Sequence, residues 1–256
     1  MNDRDFWQRQ AKDFGRSVTA VNYDPLEEEL EFLFLGRFFR DGEKILDLGC
    51  GNGRTTLFLA ENFPDALVTG VDFVPEMIEI AREEARNRGV KNVTFSVHDA
   101  SLPGPRGLSP GSFDKILTKR LLINLKGEKK FTAIENIHAL LADGGRYIMV
   151  ECFREPLDRV NAIRREFSLE PIQVKEFNEY LEMHFLEAMA HRFVVEEVLD
   201  FESLYYFISR IFNATLSQGT PDYHAPMNRL AVAITGNHPA ILQGYGPELL
   251  HVLRKR

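Results

Sequence analysis

Three glycines alternate at Gly49, Gly51 and Gly53 inside the stretch Lys44-Ile45-Leu46-Asp47-Leu48-Gly49-Cys50-Gly51-Asn52-Gly53-Arg54. A short apolar run enters this turn, and a helical pattern, Arg54-Thr55-Thr56-Leu57-Phe58-Leu59-Ala60, leaves it. Glycine removes the Cβ that would block a tight turn or hold a ligand off the backbone. Strand, glycine turn and helix N-terminus in series make a site for a nucleotide-like ligand at the end of a parallel sheet. The dinucleotide fingerprint G-x-G-x-x-G/A needs a small residue three places after its second glycine. Arg54 occupies that place and would intrude on helix–strand packing and on a pyrophosphate. Asp47, two residues before the first glycine, would repel a diphosphate and suits a cationic ligand instead. Two further acids end β-type runs downstream, Asp72 after residues 66–71 and Asp99 shortly after residues 93–97.

These residues need a frame, and the hydrophobic periodicity supplies one. Phe6, Trp7, Ala11 and Phe14 fall at helical spacing ahead of Gly15, which can stop the helix. Asp24-Pro25 then caps a second helix over residues 26–39. From residue 44 strands alternate with helices: strands over 44–48, 66–71, 93–97, 113–117 and 147–150, helices over 54–62, 75–88 and 128–141. Alternation of this length predicts βαβ crossovers and a parallel sheet. Beyond Glu151 the rhythm changes. Helices are expected over 157–167, 176–190 and 202–216, a strand over 193–201, a Gly/Pro/Asn-rich region over 217–246 and a strand over 249–253. The whole reads as one domain in three parts: a helical lid over residues 1–42, a ligand-binding core over 43–151, and sheet completion with a substrate cover over 152–256. Trp7 and Phe14 belong either to the core or to a lid over the ligand.

The chain has 256 residues, 44% of them hydrophobic, enough for a sizeable core. Its formal net charge is −7, against the basic excess of proteins that grip nucleic acid by its phosphates. Lys126 with Lys129-Lys130, and Arg254-Lys255-Arg256, read as solvated surface. Two cysteines, Cys50 and Cys152, give no disulfide framework. With no apolar leader and no apolar run of membrane length, a cytoplasmic protein with no membrane association is expected.

Over roughly residues 43–151 the sequence resembles the class I S-adenosylmethionine-dependent methyltransferases. Ile45-Leu46-Asp47-Leu48-Gly49-Cys50-Gly51-Asn52-Gly53 looks like that family's first motif. By this likeness the backbone of Gly49, Gly51 and Gly53 lies against the amino-acid portion of the cofactor, and Asp47 helps hold it. Val71-Asp72-Phe73 is similar to the second motif. There Asp72 would take both ribose hydroxyls, as an acceptor-only carboxylate can, and Phe73 would wall the adenine. His98-Asp99-Ala100 resembles the third motif, with the Asp99 side chain on the adenine amino group and the Ala100 backbone on the ring. Phe113-Asp114-Lys115-Ile116-Leu117-Thr118 resembles the family's fourth strand, with Thr118 where the backbone passes the transferred methyl. Asp143-Gly144-Gly145-Arg146 looks like the turn into strand five. The fold implied is α/β and Rossmann-like: a doubly wound, mostly parallel seven-stranded sheet, with an N-terminal helical lid and a C-terminal helical cover inserted near the last strands. After strand four the chain reads Thr118-Lys119-Arg120-Leu121, without the Asp/Asn-Pro-Pro-aromatic motif of enzymes that methylate DNA-base amino groups. No Asp-rich metal site accompanies this strand end, so no metal is expected.

Methyl transfer from a sulfonium is an in-line displacement that depends on holding the nucleophile close and aligned. An amine or hydroxyl acceptor can also need a base. Candidates are Glu151, His184, His191, Tyr205, Tyr206, Tyr223 and His224, narrowed to Glu151, His184 and Tyr206 as catalytic residues. Tyr205-Tyr206-Phe207 with Arg210 either lines an apolar pocket with one anion-binding group or serves as core; His184 also fits a surface position. Asn161 and Asn178 are candidate polar pocket groups. The expected activity is methylation of an oxygen or nitrogen of a small-molecule metabolite. One alternative is methylation of RNA or a protein side chain, which would require a basic face from Lys115, Lys119, Arg120 and Lys126. The other is a non-catalytic S-adenosylmethionine-binding scaffold, whose mark would be a broken first or second motif, and both are intact. Nothing in the sequence specifies an oligomer.

Overall fold

A computed structural model describes residues 3–15, 17, 24–103, 107–217 and 222–256. Helix α1 (Asp3–Phe14) and helix α2 (Pro25–Leu35) precede β1 (Lys44–Leu48), α3 (Arg54–Asn62), β2 (Leu67–Asp72), α4 (Pro75–Arg88) and β3 (Val93–Val97). The chain continues through β4 (Phe113–Lys119), a 3-10 turn (Leu122–Asn124), α5 (Glu128–Leu140), β5 (Leu141–Cys152), α6 (Arg154–Glu166), α7 (Phe185–Met189) and β6 (Phe193–Leu199). It ends with α8 (Ser203–Phe207), a π-helical stretch (Ile208–Asn213), α9 (Ala214–Leu216), α10 (Pro226–Asn237) and β7 (Glu248–Lys255). The seven strands form one sheet in the order β3-β2-β1-β4-β5-β7-β6. Strands β1 to β5 pair in parallel, whereas β7 runs antiparallel to both neighbours. This is the seven-stranded, mostly parallel α/β sheet that the sequence implied.

Helices cover both faces, so the central strands are apolar on both sides. Side chains alternate with the two-residue period of a strand. Leu46, Ile116, Tyr147 and Met149 pack with Ile134 and Ile137 of α5. Their neighbours Ile45, Leu117, Ile148 and Val150 pack on the other face with Leu30 and Phe34 of α2 and with Tyr205. Asp24 starts α2 by accepting the N–H groups of Leu26 (3.0 Å) and Glu27 (3.4 Å), with Pro25 in the first turn. Helix α1 lies on α4 through Ala11, Val74 and Met77. No helix among the described residues is long and apolar enough to cross a membrane.

Several expected elements differ: β5 starts at Leu141, taking in the expected turn at 143–146, and the helix over 202–216 contains a π-helical stretch. Helix α2 stops at Leu35 instead of running to residue 39, although Phe39 remains fully buried beyond it. The helix expected over 176–190 shrinks to α7. Leu181 instead exchanges backbone hydrogen bonds with the end of β5, donating to the Cys152 carbonyl (2.9 Å) and accepting from Arg154 (2.8 Å), so this segment is held extended. The Gly/Pro/Asn-rich region conceals α10, because Pro226 occupies the first turn and Gly236-Asn237 the last, where such residues do not break a helix. Helix α10 then packs Ala231 and Val232 into the α2 side of the core.

Gly70 lies in the middle of β2, where a Cβ would stand 2.6 Å from the Phe95 ring and 3.0 Å from Thr56 Cγ2. Gly70→Ala therefore overpacks the interface of β2 with β3 and α3, and is expected to cost about 1–3 kcal/mol. Urea denaturation should show a lower midpoint with an unchanged slope; an unchanged midpoint would contradict the tight packing.

Candidate functional site

The glycine turn is stitched to the end of β2: the N–H groups of Gly49 and Cys50 both donate to the Val71 carbonyl, at 2.8 and 2.9 Å. Gly53 has φ 81°, and a Cβ there would meet that of Ala81 at 2.6 Å. Gly49 has φ 83°, with Leu121 Cδ1 2.9 Å from its would-be Cβ. Both positions exclude side chains on conformational and steric grounds together. Arg54, which argued against a pyrophosphate, turns to α2, where its guanidinium pairs with the Glu28 carboxylate (Nε–Oε1 2.8 Å).

The two acids flanking the turn are buried. Asp47 Oδ2 accepts the Thr56 hydroxyl at 2.6 Å, and burial pushes its carboxyl up to about 6 against that bond. Asp72 accepts the Gly51 N–H through Oδ2 and the Val74 N–H through Oδ1, each at 2.9 Å. Burial again dominates, opposed by these bonds, and its carboxyl rises to about 6. Both acids and the turn open onto a cavity of about 460 Å³, within the range of small-molecule sites. Phe6, Trp7 and Gln10 of α1 roof the cavity together with Phe177; Phe6 and Phe177 rings lie 4.1 Å apart and Trp7 meets Phe177 edge-on at 5.9 Å. Trp7 also packs on Ala11, Val74 and Met77, so it belongs to a small core and to the cavity wall at once. The Phe14 side chain lies outside the described residues.

Of the cofactor-binding residues expected from the sequence, Asp47, Gly49, Gly51, Asp72 and Phe73 line this cavity. Gly53 stands behind the turn. Asp99 and Ala100 are not in the wall: Asp99 Oδ1 accepts the Ser101 N–H (2.9 Å) and hydroxyl (2.7 Å), and the Ala100 carbonyl accepts from Asn136 (3.0 Å). Asp99 is near enough to Asp72 to add to its upward shift. Thr118 is fully buried behind the wall, bonded to the Tyr147 hydroxyl (2.7 Å) and to Glu151 (3.1 Å).

The expected catalytic residues separate. Glu151 is fully buried outside the cavity wall and accepts the N–H groups of Leu121 (3.0 Å), Leu122 (2.9 Å) and Ile123 (3.3 Å). Burial raises it to about 7 against these bonds, and its structural work is to hold the turn after β4. His184 corrects the sequence expectation more sharply: it is solvent-exposed, 3.1 Å from Glu182, and no part of the cavity. His191 is likewise exposed beside Glu135, and His224 is exposed beyond the cavity. Tyr205 is core, its hydroxyl donating to Asp24 Oδ2 at 2.7 Å. Tyr206 and Tyr223 do line the cavity, as does Asn178. Asn161 instead holds both backbone groups of Ile172, at 2.8 and 3.0 Å.

Sequence reasoning named Arg210, Lys119 and Arg120 but missed the buried acids that pair with them. Arg210 lies between the Tyr206 and Tyr223 rings, 4.9 and 5.0 Å from their centroids, and pairs with Asp24 (2.8 Å) and Glu27 (2.6 Å). Arg120 adopts a left-handed backbone, φ 54°, and its guanidinium joins Glu31 to Glu248. Although burial pushes the Glu31 carboxyl up, Arg120 and Lys119 together pull it down to about 2. One signal was present: Glu27, Glu28 and Glu31 interrupt α2 on the side that also carries Leu30 and Phe34, so acids share a face with core residues. Glu202 and Glu248 carried no such local sign.

A family model described as a methyltransferase domain matches residues 39–204. Aklanonic acid methyltransferase from Streptomyces sp. strain C5 is 33% identical over 153 residues, covering 57% of this chain and 66% of that protein. Demethylmenaquinone methyltransferase from Thermus thermophilus is 38% identical over 110 residues, covering 43% of this chain and 47% of that protein. The chain therefore spans less than two thirds of the length of either relative. A geranyl diphosphate C-methyltransferase from Streptomyces coelicolor, solved with S-adenosyl-L-homocysteine, superposes with a TM-score of 0.58 at 14% identity over 90% of this chain and 80% of that one.

The raised carboxyls set a pH dependence. Asp47 and Asp72 at about 6, Glu151 at about 7 and Glu27, driven by burial, at about 8 all bind their protons more tightly folded than unfolded. Their contribution to stability is complete below the ordinary carboxylate range and is lost as pH rises through these values. His251, pushed down to about 4 by burial, works the other way below the ordinary imidazole range, so the melting temperature of the unliganded protein is expected to fall most clearly between about pH 6.5 and about pH 8. Calorimetry across that window checks it, and a rising curve would contradict the buried, proton-holding state of these acids.

Proposed function

Because the chain belongs to the methyltransferase-domain family, we propose that it is an S-adenosylmethionine-dependent methyltransferase that methylates an oxygen or nitrogen of a small-molecule metabolite. One observation carries this reading: the glycine turn and the Asp72 carboxylate converge, Gly51 N–H on Asp72 Oδ2, at the wall of the cavity. When bound there, S-adenosylmethionine supplies an electrophilic sulfonium methyl group. The residues fit that ligand. Asp72 spends one lone pair of each oxygen on backbone N–H groups and keeps others for a pair of hydroxyls. Phe73 and Met77 offer an apolar wall, and Asp47 offers a carboxyl beside the turn. Glu151 holds the turn Leu122–Asn124 at the end of β4, and Leu121 and Asn124 of that segment line the cavity. Trp7, Phe6 and Phe177 cover part of the cavity with apolar surface.

A cavity of about 460 Å³ suits a small acceptor. The basic face that RNA recognition would require is also spent internally: Lys115 pairs with Glu43 at 3.1 Å, and Lys119 and Arg120 pair with Glu31. Both curated relatives described above are named for small-molecule acceptors, which supports the same reading.

Isothermal titration with S-adenosylmethionine should give binding in the micromolar range or tighter. Asp72→Asn keeps the side-chain shape and is expected to weaken that binding about tenfold or more, with a circular-dichroism melt close to the parent. A parent protein that does not bind, or an Asp72→Asn variant that binds equally well, would overturn the assignment. Release of S-adenosylhomocysteine across a metabolite panel separates an enzyme from a binding scaffold.

A further inference from the structure

Away from the glycine turn the cavity carries more acid than its cations can match. Asp24, Glu27, Glu202 and Glu248 line it, and Glu31 is buried just behind. Against these five carboxyl groups stand three cations, Lys119, Arg120 and Arg210, each already committed. Lys119 pairs with Glu31, Arg120 with Glu31 and Glu248, and Arg210 with Asp24 and Glu27. Lys175 sits apart at the exposed rim, over the Phe177 ring. Two carboxyls are left over, and in the unliganded cavity they hold protons that an entering cation would displace. Burial, and then mutual repulsion among Glu27, Glu202 and Glu248, raises Glu202 well above its ordinary value.

A second observation is independent of charge. Glu248 is 4% exposed, lines the cavity, and its Oε1 has no hydrogen-bond partner. Gln10 Oε1, Asn124 Oδ1 and Asn178 Oδ1, from three other lining residues, are orphaned in the same way. Glu248 Oε1 can only accept, and Asn124 Oδ1 is fixed as an acceptor because its Nδ2 donates to the Arg120 carbonyl; among the described residues no buried donor without a partner lines the cavity. Buried acceptors left without donors are costly, so the cavity is built for a ligand that brings N–H or O–H groups and positive charge. A metal ion does not meet the need: among the described residues no group of three or more His, Cys, Asp or Glu is placed to hold one.

We propose that the methyl acceptor is a basic amine, bound as its ammonium ion against Glu248 and Glu202 with its apolar body beside Tyr180, Ile172 and Pro247, and methylated on nitrogen. This rests on the methyltransferase reading and narrows its acceptor. The sulfonium of the methyl donor accounts for one of the two unmatched carboxyls, and the ammonium for the other. The ammonium N–H groups supply donors that Glu248 Oε1 lacks. Before transfer, the ammonium gives one proton to a carboxylate of this group, leaving a neutral carboxylic acid and a free lone pair on nitrogen. That lone pair forms the N–C bond while the C–S pair withdraws onto sulfur, giving a neutral thioether and a methylated ammonium product.

The test uses the full chain saturated with S-adenosylhomocysteine, titrated with arylalkyl amines of graded size and with the alcohol and carboxylic acid isosteres of each. At least one amine should bind about tenfold or more tightly than both of its isosteres. Glu202→Gln is isosteric with a protonated glutamate and tests the site without disturbing the fold; it should remove that preference while S-adenosylhomocysteine affinity stays within about twofold. Glu248→Gln should do the same if its melting temperature shows that it folds. With S-adenosylmethionine, the preferred amine should gain one methyl group on nitrogen by mass spectrometry. Failure to bind S-adenosylhomocysteine would defeat the methyltransferase reading itself. Binding of that ligand, together with equal or tighter binding of the alcohols or acids, would overturn the amine proposal alone.

Discussion

Arg120 stands where β4 ends, and its guanidinium is shared between Glu31 of α2 and Glu248 of β7, partners 89 and 128 residues away in sequence. Its backbone is left-handed, a conformation that costs a non-glycine residue about 1–3 kcal/mol and persists only where the surroundings over-determine it. They do so here: the Arg120 N–H donates to the Val150 carbonyl at 2.9 Å, and its carbonyl accepts from the Asn124 side chain. A buried ionic triad of this kind is weak evidence for stability, since desolvation offsets much of the attraction. What it fixes is geometry. Helix α2 carries Asp24 and Glu27 to the cavity, β7 carries Glu248, and the segment after β4 carries Leu121 and Asn124. All three are registered against one another at this guanidinium.

Two buried glutamates, Glu151 and Glu248, show how similar residues take opposite roles. Both lie in core strands beside the cavity, and burial raises both carboxyls. Glu151 is fully buried outside the cavity wall, its oxygens accepting three backbone N–H groups and a hydroxyl, so no ligand in the cavity meets it. Glu248 keeps one oxygen without a partner. Place at the wall and inventory of donors and acceptors, and not burial or titration, separate a group that shapes the wall from one that can meet a substrate.

The legible parts of the sequence were those governed by neighbours in the chain. The helix over 54–62 and the strand over 44–48 were read at their observed bounds, because the glycine turn punctuates both. Asp47 and Asp72 could be placed at the cavity since a strand end next to a glycine turn has few places to go. The opposite side of the cavity resisted for a physical reason. Its residues come from α2, from the segments after β4 and around Tyr180, from the start of α8 and from β7, and no periodicity within one element reports that they meet. His184 looked chemical by type alone, yet lies at the surface with Glu182. The extended run around Leu181 read as helical because its apolar spacing suits a helix, while its actual partner was the distant end of β5.

The antiparallel insertion of β7 between β5 and β6 has a kinetic side. The glycine turn closes through contacts of short sequence separation, such as Gly49 to the Val71 carbonyl, whereas Glu248 reaches its place only when β7 pairs with Cys152 and its neighbours about a hundred residues upstream. Closing so long a loop is entropically demanding and tends to come late in folding. The glycine-turn side of the cavity is thus drawn from early, local structure and the Glu248 side from late, non-local structure. On warming, the Glu248 side of the cavity should loosen before the glycine turn does, as two halves of one pocket with different lifetimes.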